Sequence, residues 1–229
     1  MATDYVAHTL DRVASTQDEA RSRYQGTPCL VTATAQKAGR GRGGARWLNA
    51  SRALAASLAF DPEWPPESVP LLTLVAGLAA RRVLGSRFQL KWPNDVVTAS
   101  GDKVAGLLAE RTRDVVVVGM GVNLYWPDAP PGMVALEVSD PGPTAGPEIA
   151  GAWAGELLTA ASAGPANWDL AGYRAASATL GTIVSWDDGG PAAAVDIDDS
   201  GGLVVEQAGS RSVLRSGQVR SIRPTTLTD

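Results

Sequence analysis

Gln36-Lys37-Ala38-Gly39-Arg40-Gly41-Arg42-Gly43-Gly44-Ala45-Arg46-Trp47 follows directly on an apolar run, Leu30 to Ala35. That run reads as a buried strand and Ala53 to Phe60 reads as another, so the glycine-arginine stretch is the loop joining them. Glycine lets the backbone turn freely and approach a ligand, and each arginine offers a charged planar fork of donors matched to carboxylate or phosphate. Such a loop suits a large anionic ligand. Gly39, Gly41 and Gly44 formally satisfy the dinucleotide-binding pattern, but that pattern needs a helix opening at the glycines and an acidic residue about 20 positions on. Arg42 to Trp47 carries no helical apolar period, and Asp61, the acidic residue at that distance, heads a proline-rich loop. RNA-binding arginine-glycine segments are repeated and poor in apolar residues, whereas this one occurs once inside an apolar chain. A plain flexible surface loop is the remaining alternative.

The wider composition agrees with an enzyme-sized globular chain. Its 229 residues, 45% of them hydrophobic, allow one substantial domain and a small one. A net charge of −4 argues against wholesale nucleic-acid binding, which needs clustered surface cations. The single cysteine, Cys29, forms no internal disulfide, and no leader-like segment opens the chain, so a cytoplasmic protein is expected. Cys29 reads as a small buried hydrophobe. The lone histidine, His8, is too few for a multi-histidine metal site or a serine-histidine relay. Val69 to Leu84 is a core helix, interrupted by Thr73, Gly77, Arg81 and Arg82 and shorter than the roughly 20 apolar residues a bilayer requires.

Thr16 with Glu19 predicts a capping box opening a short helix through Tyr24. Phe88 to Lys91, Val104 to Arg111 and Val115 to Asn123 predict further strands, and four consecutive valines predict one buried on both faces. Helices are expected at Glu148 to Ala161 and Leu170 to Ala176. After about Thr179 come strand-like pieces at Thr182 to Trp186, Ala193 to Ile197, Leu203 to Glu206, Ser212 to Arg215 and Gln218 to Ile222, separated by Asp- and Gly-rich turns. That pattern predicts a small all-β barrel.

Three further segments carry chemistry: Lys91-Trp92-Pro93-Asn94-Asp95, Asp102-Lys103-Val104-Ala105-Gly106-Leu107-Leu108-Ala109-Glu110, and Gly119-Met120-Gly121-Val122-Asn123-Leu124. With Ser15-Thr16-Gln17 and the glycine-arginine loop, their order and spacing closely resemble the catalytic domain of biotin protein ligases, in the short form without an N-terminal DNA-binding domain. The resemblance is strong from Ser15 to Leu124 and weaker beyond. It implies an α/β (α+β) fold: a mixed sheet packed with helices, a class II aminoacyl-tRNA synthetase-like ligase domain over residues 1–177, and an SH3-like C-terminal domain over 178–229. It further implies ATP-dependent transfer of biotin, through biotinyl-5′-AMP, to a lysine of a biotin carboxyl carrier protein.

The residues carried over by that resemblance fall into overlapping groups. Ser15, Thr16, Gln17 and Gln36 are expected around the ureido ring of biotin, where hydroxyls and amides satisfy a buried donor and acceptor pair. Without the resemblance, Thr16 reads simply as a helix cap. Gln17 departs from the asparagine frequent in relatives, which shifts that contact. Arg40, Gly41 and Arg42 map onto the loop that closes over biotin and the adenylate, Trp47 onto an apolar lid, and Gly106 onto the biotin site. Ala45 replaces the arginine usual there and loosens one phosphate contact; Arg46 resumes the pattern. Lys103 is expected to neutralise the reacting carboxylate and phosphate, making Lys103, Arg40 and Arg42 the catalytic cations. Lys91, Trp92, Asn94, Asp95 and Asn123 map onto the ATP and adenylate site. ATP and Mg²⁺ are the implied cofactors, with the metal-contacting residue left open. The expected partner is the carrier domain of a carboxylase, with no nucleic acid or membrane and a monomer or weak homodimer. A lipoate or octanoate ligase and a non-catalytic biotin or nucleotide sensor are the competing readings.

Overall fold

The computed structural model describes residues 4–45, 47–113, 115–187 and 189–215, and the backbone of 223 and 224. β1 (Val6–Val13), β2 (Cys29–Gln36) and β3 (Arg52–Phe60) frame the glycine-arginine loop, β2 pairing antiparallel with β3 as the two apolar runs predict. β1 was not foreseen: His8, Thr9, Asp11 and Arg12 break up its apolar residues and most of its side chains are exposed, because it is the sheet's outer strand, parallel to β2. Between them lies α1 (Thr16–Arg23). Its cap is Ser15, whose hydroxyl accepts from the Asp18 amide, and not Thr16 as the capping-box reading has it. The shift by one residue matters, since it turns the Thr16 side chain inward, where it is 2% exposed.

α2 (Leu71–Leu84) is buried along almost its whole length, ends at Gly85 with a positive φ, and is the core helix expected of Val69 to Leu84. β4 (Gln89–Lys91), β5 (Asp95–Val97), β6 (Lys103–Thr112) and β7 (Val115–Tyr125) complete a seven-stranded mixed sheet in the order β1-β2-β3-β7-β6-β5-β4. β5 is a second strand the sequence did not disclose, being only three residues long after Pro93. The helices α3 (Ala145–Ser162) and α4 (Leu170–Ala176) follow where predicted, α3 starting a turn earlier.

Side chains alternate across a sheet, and the alternation here sorts two clusters. Leu54, Leu58, Val116 and Val118 face α2 and α3 in the main core, while Cys29, Val31, Ala59 and Val117 face Ala20 of α1. Val116, Val117 and Val118 are each at most 1% exposed, which is the two-sided burial the valine run predicts. Burial also pushes the Cys29 thiol up, in keeping with a packing role. Two residues further along the α1 face from Ala59 and Val117 come Ser57 and Gly119, and two beyond that Gly121, so the apolar layer gives way to polar and side-chain-free positions.

The C-terminal strands β8 (Ile183–Trp186), β9 (Gly189–Ile197), β10 (Leu203–Gln207), β11 (Ser210–Leu214) and β12 (Arg223–Pro224) form an antiparallel sheet in the order β11-β10-β9-β8-β12. Among the described residues no pairing joins β11 to β12, so the order is that of an open sheet. The expected strand Gln218 to Ile222 lies outside the described residues. Val184, Ala194, Ile197 and Leu203 belong to the same cluster as the α2 side chains, and Trp92 donates from Nε1 to the Gly201 carbonyl at 2.9 Å. The two sheets therefore share one core.

Candidate functional site

A cavity of about 290 Å³ opens on the α1 face of the large sheet. Its floor is built by absence of side chains. Gly106 of β6 pairs with Gly121 of β7, and Leu108 with Gly119. A Cβ at Gly121 would stand 2.6 Å from the Trp47 ring, one at Gly119 2.8 Å from Gln17 Nε2, and one at Gly106 2.9 Å from Lys103 Nζ. These glycines let a flat ring, an amide and an ammonium lie directly on the sheet backbone, so no larger residue fits without displacing the side chains that line the site.

One wall is a hydrogen-bonded chain of polar side chains from three elements. Gln36 Oε1, at the end of β2, accepts from the Thr16 amide at 2.8 Å and from Thr16 Oγ1 at 3.1 Å. Thr16 Oγ1 lies 2.8 Å from Ser57 Oγ, and Ser57 is fully buried. A backbone N–H must meet an oxygen, so the Gln36 amide is oriented with Nε2 away from Thr16. Thr16 has one hydroxyl proton and donates it to Gln36; it accepts from Ser57, whose Oγ–H is the donor. The chain is polarised throughout, leaving Gln36 Nε2 as a donor and the Ser57 oxygen as an acceptor. Ser57 escaped the sequence reading, although a lone hydroxyl inside the run Arg52–Phe60 was the available signal. Ser15, Thr16, Gln17 and Gln36 all line the cavity.

The glycine-arginine loop folds back on itself, with Gly41 N donating to Ala45 O and Trp47 N to Gly39 O. A short 3-10 turn, Arg42–Gly44, forms its tip, with Gly43 at φ 63°. Arg40, Gly41, Arg42 and Trp47 line the cavity, and Arg46 lies outside the described residues. Arg42 Nη1 donates to Asn94 Oδ1 at 3.4 Å; burial pushes its guanidinium below the usual value, against the opposing pull of the Asp95 and Asp187 carboxylates. Arg40 is gripped by Asp18 and Glu110.

Lys103 begins β6, with Nζ 2.6 Å from Asp95 Oδ1 and 5.6 Å from the centroid of the Trp47 ring. The Lys103 and Asp95 side chains are 24% and 23% exposed, so the ammonium is part-desolvated yet reachable. Asn94 is stitched to β6 by its amide to Leu107 O and by Leu107 N to its own carbonyl. Asn123 is 1% exposed and both its amide hydrogens go to backbone, to Lys103 O at 3.3 Å and Val134 O at 3.1 Å. Any contact it makes with a ligand goes through Oδ1 or the backbone. Asn94, Asp95, Lys103, Gly106 and Asn123 line the cavity; Lys91 and Trp92 do not. Trp92 is 1% exposed and its ring N–H docks the C-terminal sheet.

The chain that builds this cavity has counterparts among known proteins. The family model described as the biotin/lipoate A/B protein ligase family matches residues 9–124. A biotin--[acetyl-CoA-carboxylase] ligase of Mycobacterium tuberculosis is 33% identical over 239 residues, spanning 96% of this chain and 89% of that protein. One of Paracoccus denitrificans is 38% identical over 134 residues, 52% of this chain and 55% of its own length. The biotin protein ligase from Aquifex aeolicus in complex with biotin and ATP shares the fold, with a TM-score of 0.81 at 24% identity over 96% of this chain and 99% of that one. With the matched segment running from β1 through the last residues of the glycine floor, the chain belongs to the biotin/lipoate A/B protein ligase family.

Proposed function

We propose that this chain is an enzyme that ligates biotin to a lysine of a biotin carboxyl carrier protein, in two steps through biotinyl-5′-AMP. The observation that carries the reading is the joining, in one cavity, of the polarised Ser57-Thr16-Gln36 chain with Lys103, Arg40 and Arg42. Biotin needs both features: a cyclic urea that offers donors and an acceptor, and a carboxylate that must approach the phosphates of ATP. The relatives named as biotin--[acetyl-CoA-carboxylase] ligases support the same substrate.

In the first step a carboxylate oxygen attacks the α-phosphorus, the bond to the bridging oxygen breaks, and pyrophosphate leaves. In the second the lysine amine attacks the acyl carbon, AMP departs with the electrons of the C–O bond, and the amine releases its extra proton. Negative charge gathers at phosphorus and at the acyl oxygen, so fixed cations aimed there are the main catalytic device. Lys103 supplies a partly desolvated ammonium, oriented by Asp95; Arg40 and Arg42 supply guanidinium N–H donors for carboxylate and phosphate. Trp47 over the floor excludes water from the adenylate.

Magnesium fits as a partly hydrated ion that takes most of its ligands from ATP and water. Among the described residues no cluster of three or more His, Cys, Asp or Glu stands ready to cage a metal, and Asp95 is the carboxylate that would hold it. Bound there, beside the Lys103–Asp95 pair, the ion would neutralise phosphate charge. Residues 1–177 form the catalytic domain in this reading. Residues 178–229 form an appended SH3-like domain, supported by short antiparallel strands and tight Asp-Gly turns. The protein acts in the cytoplasm, as a monomer or weak homodimer, without binding nucleic acid or membrane; no helix of the described residues is long and apolar enough to cross a bilayer.

The direct test incubates the pure protein with Mg-ATP and biotin, lipoate or octanoate, and detects acyl-adenylate by mass spectrometry. Adenylate from biotin alone, followed by biotin on an added carrier domain, is the expected result. Adenylate only from lipoate or octanoate would overturn the substrate assignment, and none from any acid would overturn the enzymatic one.

A further inference from the structure

We infer that Asp18 and Glu110 are positioning residues that set the plane of the Arg40 guanidinium, a step that rests on Arg40 serving the anionic groups of the substrates. Arg40 Nη1 donates to Asp18 Oδ2 at 2.9 Å and Nη2 to Asp18 Oδ1 at 2.9 Å, a fork-to-fork pairing, while Nη2 also reaches Glu110 Oε2 at 3.3 Å. Two parallel bonds plus a third off the axis fix the plane and its roll, which a single contact leaves free. Glycine flanks Arg40 on both sides, so the loop backbone by itself imposes little orientation.

The two carboxylates are held without help from Arg40. Asp18 sits in the first turn of α1, where free N–H groups favour a negative charge. Arg21, on the same helix, ties Asp18 Oδ1 at 3.2 Å to Glu110 Oε2 at 3.4 Å. The carboxylates therefore form a dock on rigid elements, and the arginine is the part that comes to it. Asp18 follows Gln17, and Glu110 lies two residues beyond Leu108, both of which line the cavity. The hydrogen bonds to Asp18 and Glu110 engage three of the five N–H donors of Arg40, and Nε–H and one Nη1–H, on opposite edges of the guanidinium, remain for oxygens of the anionic substrates. With two acids matched by two arginines, the cluster adds no net charge to repel an incoming anion. The pairing with Arg40 also holds the Asp18 carboxyl below its usual value.

The test is a double-mutant cycle read by biotin-dependent pyrophosphate release. Asp18→Asn should raise KM for biotin about five-fold, the size expected of a well-formed ionic cluster at the surface. Asp18→Glu should restore part of the loss, and Asp18→Asn should have no further effect when Arg40 is already Gln. An unchanged KM, or the same rise in the Arg40→Gln background, would overturn the inference. Should Asp18→Asn disturb the helix, as circular dichroism would reveal, Glu110→Gln on the strand carries the same cycle. If the parent protein releases no pyrophosphate with biotin, the substrate assignment fails. The dock is then judged by trypsin cleavage after Arg42, which the double variant Asp18→Asn, Glu110→Gln should accelerate; equal rates would overturn it.

Discussion

At the residue scale the site works by proton direction and by charge kept partly dry. Because Thr16 donates to Gln36 and accepts from Ser57, the serine hydroxyl supports Thr16 and, in the proposed reaction, is free to accept from the ligand. Ser57→Ala removes both while leaving a shape the strand tolerates, and is expected to raise Kd for biotin about ten-fold with little change in melting temperature, as a lost buried hydrogen bond of roughly 1.5 kcal/mol requires. Isothermal titration with biotin measures it, and unchanged affinity would remove Ser57 from the site. Lys103→Ala takes away the ammonium that the proposed reaction sets against the biotin carboxylate. Adenylate formation should fall by at least about 100-fold, comparable with loss of a single charge-stabilising donor elsewhere. Gly121→Val places side-chain carbon where the Trp47 ring lies, 2.6 Å from an added Cβ, and should abolish biotin binding while the fold persists.

At the scale of elements, the loops are anchored by side chains that the sequence reading assigned elsewhere or passed over. Family resemblance assigns Trp92 to the nucleotide site; its indole docks the turn between β9 and β10. That turn is itself built on Asp198, whose Oδ1 accepts from Ser200 N at 3.0 Å and Gly202 N at 2.8 Å. Burial pushes the Asp198 carboxyl up, but the N–H groups of Gly202 and Ser200, the Ser200 hydroxyl and Arg215 outweigh it and hold it below the usual range. A folded value below the unfolded one stabilises the turn fully above the unfolded pKa of about 3.9, and this contribution drains away as pH falls through the folded value. Acid titration followed by tryptophan fluorescence should therefore show Asp198→Asn with a shallower loss of stability below about pH 4 than the parent. The same scale shows what was legible. Apolar runs exposed β2, β3, β6, β7 and α2 because each is buried and long enough to leave a period. β1 and β5 stayed hidden because one is a polar outer strand and the other is three residues long. The cap moved from Thr16 to Ser15 because adjacent hydroxyls are locally equivalent, and only the tertiary partner, Ser57, distinguishes them.

Over the whole molecule, the change of character near Thr179 suggests two independent units, whereas packing ties them together. Ala178 N donates to Leu90 O, Trp92 N to Thr179 Oγ1, and Trp168 Nε1 to Asp199 O, so hydrogen bonds cross the boundary from several elements. Leu71 and Leu74 of α2 lie against Gly201, where an added Cβ would stand 2.9 Å from Leu71 Cδ1. Val184, Ala192, Ile197 and Val205 share the cluster that α2 and α3 build. Removing the C-terminal sheet would uncover this apolar surface and leave the Trp92 indole N–H without its acceptor, and a buried donor without a partner costs about 1–3 kcal/mol by itself. Units joined in this way unfold together. Calorimetry on the full chain should give one transition with equal calorimetric and van't Hoff enthalpies, and biotin with Mg-ATP should move that single transition upward, since ligands that bind only the folded state stabilise everything coupled to it. Two separable transitions, with only one responding to ligand, would mean that the C-terminal sheet folds apart from the site.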